Sequence, residues 1–61
     1  MQNRFIELTS IRHDENIIIN VNHISMILPM RIGCQVLING NEERPIPVVE
    51  TFEDLKKLLV I

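Results

Sequence analysis

The side chains that could suggest metal chemistry are His13, Asp14, Glu15, His23 and Cys34. A zinc site needs ligands paired a few residues apart so that they converge on one point. His13, Asp14 and Glu15 are instead consecutive in a predicted turn and would point in different directions. Neither His23 nor Cys34 completes a ligand spacing with them. The first three therefore read as a solvated turn, and His23 as a polar residue where a strand begins. Cys34 would need a neighbouring base and a depressed pKa to act as a nucleophile. No such base is indicated, and a lone cysteine reads as a small buried hydrophobe in a reducing compartment.

Paired carboxylates could do acid–base work, and two pairs exist, Glu42-Glu43 and Glu53-Asp54. The first falls in a predicted hairpin loop. The second falls in the first turn of a predicted helix, where acids favour the helix dipole, as Lys56 and Lys57 do in the last turn. With glycine only at positions 33 and 40, there is no phosphate-cradling loop. The expectation is a non-enzyme with no cofactor and no metal.

Nucleic-acid binding needs a basic face, with aromatics to stack single strands. The net charge is −2, and six basic residues are interleaved with eight acidic ones. Phe5 and Phe52, the two aromatics, both fit core positions. Arg31, in the break that Arg31-Ile32-Gly33 makes between two strands, and Arg44, at the hairpin loop, are the best candidates for contacts, in a small β-rich regulator that would read DNA with a ribbon. Nucleic acid is the alternative partner here, not the first.

The most apolar stretch holds Ile24, Met26, Ile27, Leu28, Met30 and Ile32. Much of it can pack a core, but adaptable methionines also suit a subunit or partner interface. Ile18, Met26, Leu28, Met30 and Ile32 are the candidate interface residues.

These groups must be positioned by short strands and one helix. Phe5–Thr9 alternates as a strand, with Ile6 and Leu8 on one face. Arg12–Asn16 is a polar turn. Ile17-Ile18-Ile19 is β-branched, and a run apolar on both faces suggests a central strand or one with a partner chain on its second face. Asn20–His23 makes a turn or a single helical turn. Ile24–Leu28 is a third strand whose end Pro29 restricts. Cys34–Ile38 is a fourth, entered through Gly33 and followed by Asn39-Gly40, a hairpin-turn dipeptide in a loop that extends to Arg44. Pro45–Val49 is a fifth extended segment. Pro45 and Pro47 remove N–H groups from the same side, which predicts a sheet edge or one side left for a loop. Thr51 and Asp54 form a capping box for a helix from Phe52 to about Leu59, with Phe52, Leu55, Leu58 and Leu59 at helical spacing.

The 61 residues form one domain, 1–61: a small α+β fold with an antiparallel sheet of about four or five short strands and one C-terminal helix packed on it. The expected core is Ile6, Leu8, Ile17, Ile19, Ile24, Ile27, Val36, Ile38, Val48, Phe52, Leu55 and Leu58. A one-residue slip would exchange the faces of Ile17–Ile19. So small a core is marginal without disulfides, metal or oligomerisation. One cysteine excludes an internal disulfide, and 46% apolar content leaves surface for a partner, so a homo-oligomer is expected. No stretch approaches the roughly 18 apolar residues of a membrane span, and Glu7 interrupts any signal-peptide core. A cytoplasmic protein without membrane insertion is the expectation.

With the elements placed, four blocks resemble the short FlbD/SwrD family of flagellar and swarming motility proteins. Phe5-Ile6-Glu7-Leu8-Thr9 looks like that family's opening strand. Ile18–Ile27 is similar to its segment with a central Asn and recurring Ile. Leu37-Ile38-Asn39-Gly40 resembles its L-T-N-G turn, and Val48–Leu55 its strand-to-helix junction. The chain departs from the family in a longer first turn, Ser10 to Asn16, a longer loop, Asn41 to Pro45, and two prolines before the helix. The family has no catalytic residues to carry over. The resemblance implies a non-enzymatic bacterial accessory protein, motility-related, acting through contacts with other proteins.

Overall fold

The computed structural model describes residues 4–60. Five strands and one helix follow in order: β1 (Phe5–Ser10), β2 (Glu15–Asn20), a single 3-10 turn (Val21–His23), β3 (Ile24–Pro29), β4 (Cys34–Ile38), β5 (Ile46–Val48) and α1 (Phe52–Leu59). The strands form one antiparallel sheet in the order β2-β1-β5-β4-β3. This is the expected small α+β domain with a C-terminal helix on a sheet.

Two hairpins carry the sheet, and each is closed by a left-handed residue. The β1–β2 turn ends on Asp14 at φ 51°, and β2 begins at Glu15, so the polar turn is shorter than the sequence suggests. The β3–β4 turn closes on Gly33 at φ 71°, with the Met30 N–H donating to the Gly33 carbonyl at 3.1 Å. Glycine is required there twice over. A Cβ would sit 1.9 Å from the Val48 carbonyl oxygen, so the turn packs directly on β5.

The strand order decides between alternatives that the sequence left open. β2 is an edge strand, not a central one. Its inner face, Ile17 and Ile19, joins the core, while its outer residue Ile18 is 73% exposed. β5 lies inside the sheet, between β1 and β4. Its prolines do act on one side only. Ile46 and Val48 pair with Val36 and Cys34 on the β4 side. The β1 side, which Pro45 and Pro47 deprive of donors, has a single ladder position, Ser10 opposite Val48. The two backbone bonds flanking it run from Ile11 N–H to the Pro47 carbonyl (3.0 Å) and from Val49 N–H to the Thr9 carbonyl (2.9 Å).

The helix starts where the box chemistry places it. The Thr51 hydroxyl accepts the Asp54 N–H at 3.1 Å, and the Asp54 carboxylate accepts the Thr51 N–H at 3.3 Å. Eight residues cannot hold a helix alone, so docking must stabilise it. Leu55 supplies that contact at 1% exposure, beside Ile6, Leu8, Ile19, Cys34, Val36 and Val48. Ile17, Val21, Ile24, Ile27, Ile38, Ile46 and Leu59 pack around this cluster. Phe52 and Leu58, expected in the core, are exposed instead. An eight-residue helix turns only one narrow stripe inward, and Leu55 and Leu59, four apart, occupy it. Phe5 is also exposed, because its parity on β1 sets it on the outer face with Glu7.

Candidate functional site

The titratable side chains are dispersed. Among the described residues no three of His, Cys, Asp and Glu come together as a metal-binding group. His13, Asp14 and Glu15 are exposed around the β1–β2 turn. His23 closes the 3-10 turn, and its carbonyl accepts the Asn39 N–H at 2.7 Å. Cys34 is fully buried on β4. Burial pushes its thiol above the ordinary value, and the Asp54 carboxylate adds to that rise. A thiol held in its protonated form is a poor nucleophile. Glu42 and Glu43 are exposed in the β4–β5 loop, and Glu53 pairs with Lys56 across one helical turn at 3.6 Å.

Arg31 and Arg44 are both exposed, but they belong to the turns at opposite ends of β4. The five residues between those turns separate them by roughly 17 Å of strand. They do not form one basic patch. Arg4 is committed elsewhere, its guanidinium donating to the Leu58 carbonyl at the end of the helix.

The apolar candidates are all exposed, and they fall into two groups. Met26 and Leu28 lie on β3, with Met30 and Ile32 in the turn that follows. Ile18 lies at the far side of the sheet, on β2. Its outer-face neighbours follow from register: Glu7 stands directly opposite, and Phe5 stands opposite Asn20, diagonal to Ile18. Phe5 and Ile18 thus make a second apolar patch. Sequence reasoning missed Phe5's part in it, although its parity with Glu7 was the available signal.

A groove of about 470 Å³ opens between α1 and β3. Val21, Ile24, Met26 and Ile27 form one wall, and Phe52, Leu55 and Leu59 the other, with Ser25 and Lys56 as the polar members. A register shift between Ile24 and Met26 shapes the strand wall. The Ser25 hydroxyl is turned to its own sheet and donates to the Leu37 carbonyl at 3.2 Å. The Lys56 ammonium lies 5.6 Å from the centre of the Phe52 ring. Such a groove can take apolar groups beside one cation; it presents no acid–base pair. Of its lining, only Met26 is among the candidate interface residues. Phe52, Lys56 and Leu59 share a helix face at i, i+4 and i+7, which is the signal that could have found them.

No family model, no curated protein and no solved structure matches the chain. No helix among the described residues is long and apolar enough to cross a membrane.

Proposed function

We propose that this chain is a non-enzymatic accessory protein that acts through contacts with other protein chains and associates with copies of itself. One observation carries the reading: in a 61-residue chain, Phe5, Ile18, Met26, Leu28, Met30 and Ile32 all stand open to solvent, gathered at the two outer hairpins of one sheet. Scattered exposed apolar residues are ordinary, but grouped ones mark interaction surfaces. A small domain without a disulfide also gains stability by mass action when it associates. The narrower reading, a bacterial motility accessory acting in the cytoplasm, is supported by the four blocks that resemble the FlbD/SwrD family.

A nucleic-acid-binding regulator is the alternative. It has less support, since Arg31 and Arg44 stand at opposite ends of β4 and the net charge is negative. Titration with duplex and single-stranded DNA at low salt separates the two readings. Binding that weakens with salt and with replacement of Arg31 and Arg44 favours the regulator. Self-association without such binding favours the interaction module.

A further inference from the structure

We infer that two copies of this chain join edge to edge through β2, antiparallel and centred on Ile18, so that two five-stranded sheets become one continuous sheet. The inference deepens the self-association reading and depends on it.

The free side of β2 is set by one hydrogen bond. Val21 N–H donates to the Arg4 carbonyl at 2.8 Å, on the β1 side. Backbone groups alternate along a strand, so Ile17 and Ile19 also face β1, while Asn16, Ile18 and Asn20 face outward. Asn16 and Ile18 are exposed, and among the described residues no strand lies beyond them. The register with β1 runs unbroken from Glu15 to Asn20, without a bulge or a proline. Such an edge is a template for another strand.

The opposite edge is built differently. Met30 N–H faces β4, so by the same alternation Ile27 and Pro29 face outward on β3. Pro29 has no N–H to offer, and the register breaks near Ser25. Both features discourage strand addition. A β2-to-β3 contact would also be head-to-tail and would propagate into fibres, whereas β2-to-β2 closes on a two-fold axis.

The sequence of β2 is self-complementary. Asn16-Ile17-Ile18-Ile19-Asn20 reads the same in both directions. A two-fold axis at Ile18 places Ile18 beside its own copy, Ile17 beside the partner's Ile19, and Asn16 beside the partner's Asn20. Each pairing matches like with like, and no two like charges stand opposite. An axis perpendicular to the sheet keeps inner face with inner face. The partner's Ile19 then extends the core past half-buried Ile17. On the outer face, both Phe5–Ile18 patches become one. The Ile18 groups and the Asn20 donors to the partner's Asn16 carbonyls give about four backbone hydrogen bonds. The two Glu7 side chains stand three strand spacings apart, about 14 Å, beyond the screening length at physiological salt, and Glu15 falls opposite the partner's Val21, two strand spacings from the partner's Arg4 and so nearer an opposite charge.

Three proteins test this: the native chain, Ile18→Lys and Ile18→Cys, each checked for native circular dichroism. The lysine substitution suits the monomer, because position 18 is exposed opposite Glu7. In the dimer it sets two ammonium groups side by side, and the dissociation constant should rise on the order of tenfold or more. The cysteine substitution should give a disulfide-linked dimer under mild oxidation, since paired Cα atoms at about 5.5 Å are within disulfide range. Leu28→Cys, on the other edge, should not, and Cys34 is buried out of reach. A native dimer that Ile18→Lys leaves intact, with no cross-link at position 18, overturns the β2 interface and leaves self-association standing. Dissociation by Met26→Asp would then place the contact at β3. A native chain that stays monomeric removes both readings. Open-ended growth with concentration overturns the two-fold closure.

Discussion

Glu50 fastens Thr9 of β1 to the junction after β5, beside a seam that Pro47 thins by one donor. Its carboxylate accepts the Thr9 N–H at 2.9 Å and the Thr9 hydroxyl at 3.0 Å, joining residues 41 apart. Val49, the residue just past β5, donates its backbone N–H to the Thr9 carbonyl. Glu50 takes the Thr9 N–H. Pro47, within β5, has no donor to give. The junction before the helix therefore also holds the middle of the sheet.

Glu50→Ala should cost about 1.5–3 kcal/mol, the worth of hydrogen bonds to a charged group. Glu53→Ala, which removes an exposed ion pair with Lys56, should cost no more than about 0.5 kcal/mol. Urea unfolding of both variants measures the difference. Equal, small losses would mean that β1 and β5 do not need Glu50.

The two glycines should differ sharply. Gly40 has φ 83° and open space around its missing Cβ, so Gly40→Ala should cost only the left-handed backbone penalty, about 1–2 kcal/mol. Gly33→Ala adds a collision with the Val48 backbone and should lose several kcal/mol, on the order of the whole stability of so small a domain. Thermal unfolding followed by circular dichroism distinguishes them. A Gly33→Ala protein as stable as Gly40→Ala would show that the β3–β4 turn does not seat on β5.

Cys34 should resist thiol reagents at neutral pH in the folded protein and react fully in urea, because burial disfavours its thiolate. The linkage has a definite sign. A thiol whose folded pKa is raised binds its proton more tightly when folded, so its contribution is complete below the unfolded value. Stability should then fall as pH rises from about 9 toward the folded value. Cys34→Ser should flatten that decline. Rapid labelling of the native protein at pH 7, at the rate of a free thiol, would contradict the buried assignment.

The helix was legible because its signals are local. Thr51 and Asp54 fix the start, but the inward stripe was not legible: Phe52 and Leu58, expected in the core beside Leu55, are exposed, and Leu59 packs there instead. The strands were legible from β-branched runs and turn residues. Their order was not, because it depends on which hairpin meets which. Ile17–Ile19 suggested a central strand or one with a partner chain on its second face; β2 is an edge strand, and its outer residue Ile18 is open. Pro45 and Pro47 suggested an edge or one side left free of pairing, and the second holds: β5 lies inside the sheet with a single ladder position toward β1. Of the interface candidates, Met26, Leu28, Met30 and Ile32 were contiguous in sequence and so in space. Ile18 pairs instead with Phe5, across a hairpin whose register no single residue announces.

Self-association is read out by the solution mass. Light scattering on a sizing column, over a dilution series from millimolar to micromolar, reads the mass without a partner or ligand. The expected species has twice the 7.1 kDa chain mass and falls toward one chain only on dilution. The mass should change little with salt, since the contacts are apolar and backbone. A mass of one chain at every concentration would contradict self-association.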